Sequence, residues 1–321
     1  MTKVLTLIII ILSAVLVATI LYPQLQENRP LPLKFACDSS VASLPFLMAV
    51  EDTLFTKNRI IPELVYYSDP EQALADLFAN KTDVGVFPWS TVLKHLSTRG
   101  ETLKVFLAVE FRPALPVDAL ARTKKIKMKS LLDLKGKRIG YPPVLRDYIS
   151  YLLGAAGLKT TDVKLSEGSL TTLTSKLNSG EIDVAWLIEP AVCQLNLATL
   201  DTVSSITTRY ITSPFPAFAI GFSPEFLKKT TRAQRTRLKI ALDMAIDRID
   251  ADQERTKLTM GKYLPYCKDV CGFCRLPQYQ RLNEINRPGV QILTTRLLAS
   301  GVITDTIDTK TIFIEPALMM R

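Results

Sequence analysis

A succession of strands and helices occurs twice in this 321-residue chain and restricts its fold more than any other feature. Residues 77–90 read LFANKTDVGVFPWS, and residues 177–190 read LNSGEIDVAWLIEP. In both segments the end of a helix and a polar turn lead into Asp-Val and an apolar strand. Asp83 and Asp183 therefore match at an offset of 100 residues. Strands that alternate with helices predict right-handed parallel crossovers and an open α/β sheet.

The rest of each half follows the same order: strand, helix, strand, helix, strand. The matching segments are the strands at 33–37 and 137–141, the helices at 43–54 and 145–156, and the strands at 63–67 and 162–165. Agreement in order and spacing predicts two lobes of duplicated architecture. Near the C-terminus, residues 278–299 are predicted to be helical, with an interruption near Pro288.

An apolar segment at residues 4–22 precedes the repeat and reads VLTLIIIILSAVLVATILY. At 1.5 Å per residue it spans about 28 Å, close to the hydrocarbon core of a bilayer. Lys3 on its short side predicts that the N-terminus stays in the cytoplasm. We expect residues 1–28 to be an uncleaved transmembrane anchor, with a cleaved signal peptide as the alternative. The remainder would then face the outside of the membrane.

The composition argues against several classes of function. Hydrophobic residues make up 47% of the chain, which excludes a disordered protein. The net charge is +9, but its densest run, from Lys124 to Arg138, has no interleaved aromatic residues. We interpret that run as a solvated face, or a patch against anionic lipid, and expect no nucleic-acid partner. His95 is the single histidine, which leaves little room for histidine-based catalysis.

Four motifs, in this order along the chain, resemble a known family. They are SLPFLMAV followed by LF (residues 43–55), LLDLKGKRIG (131–140), GEIDVA with a later Glu-Pro (180–190), and LPQY (276–279). The sequence resembles the substrate-binding proteins of ABC importers, in the group that binds aliphatic sulfonates, taurine, nitrate and thiamine precursors. Two departures are Asp52-Thr53, where the family has a small residue, and the late cysteines.

The resemblance implies an α/β, two-lobed fold of the type II periplasmic-binding-protein class, here with an N-terminal transmembrane helix. Lobe one would comprise residues 31–115 and 215–321, and lobe two residues 116–214. It implies a tethered, extracytoplasmic protein that closes on a small solute and delivers it to an ABC permease. We expect neither enzymatic activity nor a cofactor. The alternatives are a sensing module for a membrane signalling partner and a cysteine- and iron-dependent enzyme of the thiamine-pyrimidine type.

The ligand is expected between the lobes, where the carboxyl ends of parallel strands and helix N-termini converge. The predicted ligand-binding residues stand at such strand ends: Asp38, Ser39, Ser40, Tyr67, Trp89, Ser90, Glu110, Tyr141 and Glu189. Trp89 and Tyr141 either sandwich a flat ligand or, in the case of Trp89, pack in the core. The carboxylates among these residues favour an amine-bearing ligand, such as an aminopyrimidine, over a sulfonate.

The cysteines form the sharpest local pattern. Cys267, Cys271 and Cys274 have the spacing of the iron–sulfur motif in radical enzymes that use S-adenosylmethionine. Their late position and an exported location favour a disulfide within the trio over metal binding at these three residues. Cys37 and Cys193 follow predicted strand ends, so each is either a cleft thiol or a small buried residue.

Overall fold

The computed structural model describes residues 6, 10–17, 19, 29–100, 102–264 and 271–320. Residues 10–17 are helical and exposed. Among the described residues, no helix has both the length and the apolar character needed to cross a membrane. Much of the segment at residues 4–22, on which the predicted anchor depends, lies outside them, so the transmembrane helix is not confirmed.

Two sheets organise the described part of the chain. Its strands are β1 (Leu31–Cys37), β2 (Ile60–Tyr66), β3 (Val84–Pro88), β4 (Lys104–Phe111), β5 (Asp118–Thr123), β6 (Arg138–Tyr141), β7 (Lys164–Glu167), β8 (Val184–Ile188), β9 (Leu200–Ser204), β10 (Phe215–Phe222) and β11 (Gln278–Arg281). The first sheet has the order β11-β4-β10-β3-β1-β2, and the second has the order β7-β6-β8-β5-β9. We call the structure around them lobe one and lobe two.

Each sheet has a parallel centre extended by antiparallel strands. In lobe one β1 pairs in parallel with β2 and β3, and β10 then pairs antiparallel with β3. In lobe two β6 pairs in parallel with β7 and β8, and β5 pairs antiparallel with β8. The twofold strand–helix pattern of the sequence therefore corresponds to two similar sheet centres.

The two matching aspartates occupy equivalent positions. A carboxylate oxygen of Asp83 accepts a hydrogen bond from Lys34 N at 2.8 Å, and Asp183 accepts one from Arg138 N at the same distance. The backbone N–H groups of both aspartates donate back to the carbonyls of Lys34 and Arg138. Each aspartate thereby fixes the entry of one central strand beside its parallel neighbour, β1 in lobe one and β6 in lobe two.

The helices cover these sheets. They are α1 (Leu44–Glu51), α2 (Leu54–Lys57), α3 (Pro70–Phe78), α4 (Trp89–Arg99), α5 (Ile149–Gly154), α6 (Leu170–Ser179), α7 (Ile206–Tyr210), α8 (Pro224–Lys229), α9 (Arg232–Ala251), α10 (Gln253–Tyr263) and α11 (Arg287–Ala299). The prediction of one helical region at 278–299 is wrong at its start. Residues 278–281 extend the first sheet, and the helix begins only after the Asn286 cap, with Pro288 in its first turn.

Two crossovers connect the lobes, at residues 112–117 and 205–214. They leave lobe one as neighbours, because Phe111 pairs with Phe215, and enter lobe two as neighbours, because Ala119 pairs with Ser204. Asp118 holds this junction from within the core. Its carboxylate accepts hydrogen bonds from Trp186 Nε1 at 3.0 Å, from Thr207 N at 2.9 Å and from Thr207 Oγ1 at 3.0 Å.

We expect Asp118→Ala to lower the free energy of unfolding by about 2–4 kcal/mol, because it leaves three buried donors without an acceptor. Asp201→Ala is the matched control. Asp201 is partly exposed and pairs with Arg122 at 3.0 Å, so its loss should cost less than about 1 kcal/mol. Urea unfolding of both variants tests this, and equal losses would contradict the role of Asp118.

Candidate ligand-binding cleft

A cavity of about 70 Å³ lies between the lobes. Lobe one contributes residues that follow β1 and β2, and lobe two contributes residues that follow β6, begin α6 or end β8. The lining residues are Asp38, Ser39, Ser40, Tyr67, Ser68, Pro142, Pro143, Val144, Ser169, Leu170 and Ile188. The structure therefore brings four of the predicted site residues to one cavity: Asp38, Ser39, Ser40 and Tyr67.

Asp38 is held firmly at the edge of this cavity. Its carboxylate accepts hydrogen bonds from Ser40 Oγ at 2.5 Å, Ser43 Oγ at 2.7 Å and Ser40 N at 3.2 Å. Burial raises the pKa of Asp38, and the hydrogen bonds from the two serines oppose that rise. Among the lining residues that the structure describes, Asp38 is the only carboxylate, and none is Lys or Arg.

Tyr67 lines the cavity together with the prolines of lobe two. Its hydroxyl donates to Asp76 Oδ2 at 3.1 Å. Burial raises the pKa of Tyr67 to about 12, and the hydrogen bond to Asp76 adds to the shift. Tyr67 is therefore a neutral, fixed wall of the cavity at physiological pH.

Trp89 is a core residue, and it does not line the cavity. Its side chain is fully buried, and its ring centroid lies 5.8 Å from that of Phe313. The reason is local, since α4 begins at Trp89 directly after a buried strand and turns this side chain into lobe one. Ser90 is also buried, and its backbone N–H donates to Tyr148 Oη of lobe two at 3.2 Å. Trp89 and Tyr141 thus form no sandwich in this cavity, and Tyr141 is outside its lining.

Glu110 is likewise absent from the lining. It is buried at the end of β4 and accepts hydrogen bonds from Arg112 Nε and Asn286 Nδ2, both at 2.9 Å. Because both contacts lie within or beside lobe one, Glu110 is occupied by a structural role.

Glu189 joins the two lobes beside the first crossover. Its carboxylate accepts hydrogen bonds from Cys193 N at 2.9 Å and from Arg275 N of lobe one at 3.3 Å. Its backbone carbonyl accepts from Val41 N of lobe one, and its N–H donates to Val117 O at 2.9 Å. Burial raises the pKa of Glu189 to about 7. This carboxylate therefore bridges the lobes and stands apart from the cavity lining.

The cysteine pairing differs from the expectation. Cys274 forms a disulfide with Cys193, with Cα atoms 5.1 Å apart, so the expected disulfide within the late trio is wrong for Cys274. Cys267 lies outside the described residues, and the side chain of Cys271 is also not described. Cys37 is a buried free thiol whose pKa is raised by burial. No sequence signal joins Cys193 to Cys274, because 81 residues separate them.

A carboxylate oxygen of Glu189 and the sulfurs of Cys193 and Cys274 lie within 4.8 Å of one another. Such a trio has the donor chemistry of a metal site only when both sulfurs are thiolates. In the disulfide they are bonded to each other, so the oxidised form offers no thiolate ligand.

A network of charges that sequence reasoning missed lies across the opening between the lobes. Arg146 of lobe two makes a bidentate pair with Glu167, at 2.6 Å for both contacts, and reaches Asp69 at 3.7 Å and Glu71 at 3.6 Å in lobe one. Lys94 of lobe one pairs with Glu71 at 2.7 Å. Lys94, and more weakly Arg146, lower the pKa of Glu71. Arg146 thus pairs with carboxylates of both lobes.

The comparison with models of protein families shows to which family the chain belongs. The family described as NMT1/THI5 like matches residues 41–242, more than half of the chain. The chain belongs to the NMT1/THI5-like family. No curated protein sequence matches it closely enough to serve as a relative.

Solved structures show that the chain shares the fold of periplasmic binding proteins. The alkanesulfonate-binding protein SsuA from Xanthomonas axonopodis pv. citri, bound to MOPS, superposes with a TM-score of 0.70 at 15% identity, covering 89% of this chain and 99% of that one. SsuA from Escherichia coli superposes with a TM-score of 0.67 at 14% identity, covering 88% of this chain and 97% of that one. The nitrate-binding protein NrtA from Synechocystis PCC 6803 superposes with a TM-score of 0.69 at 12% identity, covering 89% of this chain and 85% of that one. The predicted two-sheet periplasmic-binding-protein fold is confirmed.

We expect Arg146→Ala to increase amide hydrogen exchange in the cavity segments 38–43 and 142–149. Exposed ion pairs contribute up to about 1 kcal/mol, so the increase should reach up to about fivefold. Arg138→Ala is the matched control, because Arg138 makes a comparable bidentate pair with Asp183 but only inside lobe two. Exchange that rises equally in both variants would show that the network does not hold the lobes together.

Glu189 should make stability depend on pH. Its folded pKa of about 7 exceeds the ordinary value, so the native state binds more protons than the unfolded state between about pH 4.5 and 7. The stabilisation is present below that window and is lost as the pH rises through 7, by at most about 3 kcal/mol. In Glu189→Gln the difference in unfolding free energy between pH 5 and pH 8 should shrink, as urea titrations would measure. An unchanged difference would contradict this assignment.

Proposed function

We propose that the chain is an extracytoplasmic solute-binding protein that delivers a small polar solute to an ABC permease. The observation that carries the proposal is the cavity between the lobes, which both lobes line with residues from strand ends and helix starts. Ligands of open α/β folds bind at such positions. The structural neighbours are named for binding sulfonates and nitrate, which supports the binding role and leaves this chain's own solute to be assigned from its cavity.

Binding would work by closure of the lobes about the two crossovers. A solute that touches both walls contacts them fully only when the lobes are closed, so its binding shifts the population toward that form. A permease that recognises the closed form would then receive loaded protein. The apolar segment at residues 4–22 would tether the protein at the outer face of the membrane, close to such a permease.

The solute is best matched by a small amine-bearing or neutral nitrogen compound, such as an aminopyrimidine. Asp38 offers a fixed carboxylate, and Ser39, Ser40 and Ser68 add hydroxyl groups. Pro142 and Pro143 offer a flat apolar wall opposite. An anion would have to rely on hydroxyls and helix N-termini while facing the carboxylate of Asp38.

Thermal unfolding tests both the solute-binding role and the class of solute. The full chain in detergent is unfolded in the presence of sulfonates, nitrate, amino acids, polyamines or pyrimidines. A ligand at 100 times its dissociation constant adds about 2.7 kcal/mol, which shifts the midpoint by several degrees. We expect the shift with pyrimidines or amines. A shift with sulfonates or nitrate alone would keep the binding role and overturn the solute class, whereas no shift with any class would contradict a solute-binding role.

Asp38→Asn tests whether the Asp38 carboxylate binds the solute, because the substitution removes the negative charge and keeps the shape and one acceptor oxygen of the side chain. We expect affinity for an amine ligand to fall by about tenfold or more, as befits a lost charge-assisted hydrogen bond. Glu110→Gln is the matched control, since it alters a buried carboxylate outside the cavity. Equal affinities of both variants and the wild type, measured by calorimetry, would remove Asp38 from the site.

The cysteine- and iron-dependent enzyme finds less support in this site. Cys274, one of the three cysteines on which that alternative rests, has its sulfur bonded to Cys193. Iron content after anaerobic, reducing purification separates the two functions.

A further inference from the structure

The disulfide between Cys193 and Cys274 joins the two lobes to each other. Cys193 belongs to the segment that follows β8 of lobe two, and Cys274 belongs to the segment that precedes β11 of lobe one. The described chain thus has a covalent link between the lobes in addition to the crossovers at 112–117 and 205–214.

This link lies beside the first crossover, on the side away from the second. The first crossover joins β4 to β5. Strand β11 flanks β4 and strand β8 flanks β5, whereas β10 and β9 flank them on the opposite side. The hydrogen bond from Glu189 N to Val117 O places the end of β8 directly against the crossover. The disulfide therefore extends the hinge from two adjacent connections to three.

The junction around the disulfide is tightly built. Glu189 accepts hydrogen bonds from the backbone of Cys193 and of Arg275, the residues that carry or adjoin the two sulfurs. Cys274 is buried, whereas Cys193 is only partly buried. Cys193 is therefore the more accessible of the two residues to a soluble reductant.

We propose that Cys193–Cys274 is a redox-controlled strap on the hinge, which restricts the relative motion of the lobes while it is oxidised. Two neighbouring connections constrain the lobes along one narrow line only. A third connection on the far side of β4 and β5 opposes twisting and parting at that edge. Since the ligand contacts both lobes, the strap limits how far the binding cleft opens.

Reduction requires a dithiol and balances as a two-electron exchange. One thiolate of the dithiol attacks the Cys193 sulfur, the sulfur–sulfur bond breaks, and Cys274 leaves as a thiolate that takes up a proton. The second thiol of the reductant then displaces Cys193, and the reductant ends as its own disulfide. The protein gains two electrons and two protons, and within the described residues the two crossovers then remain as the covalent connections between the lobes.

Hydrogen–deuterium exchange of the full chain in detergent, without ligand, tests the strap. Wild type is compared with and without a dithiol, alongside Cys193→Ser, Cys274→Ser and the control Cys37→Ser, which removes a buried thiol outside the disulfide. We expect reduction and both strap variants to speed exchange of the crossover segments by about threefold or more. Strands β1 and β6 should stay protected, which shows that the protein remains folded. Cys37→Ser should respond to the dithiol as the wild type does.

Crossover exchange that is unchanged on reduction of the wild type would overturn the proposal. So would peptide mapping under non-reducing conditions that finds Cys193 free or joined to Cys267 or Cys271. Because no solute is used, these results do not depend on the solute-binding role, and a failure of the ligand panel would leave them unaffected.

Discussion

The relative position of the two lobes depends on the side-by-side pairing of the two crossovers. Phe111 and Phe215 pair where the crossovers leave lobe one, and Ala119 and Ser204 pair where they enter lobe two. Asp118 ties this entry to Trp186 and to the start of α7. Because the cavity is made of strand ends from both lobes, its shape follows from how these few connections hold the sheets.

The architecture was predictable because its signal is local and repeated. Asp83 and Asp183 each follow a polar turn and fix a central strand through hydrogen bonds to its parallel neighbour, β1 or β6. A short apolar strand after Asp-Val is therefore enough to identify the unit twice. The helix predicted over residues 278–299 was wrong at its start because that local signal is missing there. Strand β11 has four residues, which is too short for an alternation of polar and apolar residues to be told from a helical pattern. Only its pairing with β4 defines it as a strand.

The residues of the candidate site were predictable only where the course of the backbone alone decides where a side chain lies. Asp38, Ser39, Ser40 and Tyr67 follow parallel strands directly, so topology delivers them to the cleft. Trp89, Glu110 and Glu189 also stand at strand ends, but tertiary partners hold each of them: Phe313, Asn286, and Arg275 with Cys193. Phe313, Asn286 and Arg275 are distant in sequence from the residues they hold, and no periodicity indicates which side chain will turn toward them.

The lobes are joined at two places with different physical chemistry. At the hinge, Glu189 and the disulfide connect them through hydrogen bonds and a covalent bond. At the opening, Arg146 of lobe two pairs with Glu71 of lobe one, and Lys94 of lobe one reaches Asp147 of lobe two at 3.7 Å. These partly exposed ion pairs each contribute at most about 1 kcal/mol and are weakened by salt. Such weak pairs bias the arrangement of the lobes without fixing it. In the mechanism proposed above, a ligand that contacts Asp38 on one wall and Pro142 on the other adds to their preference for the closed form.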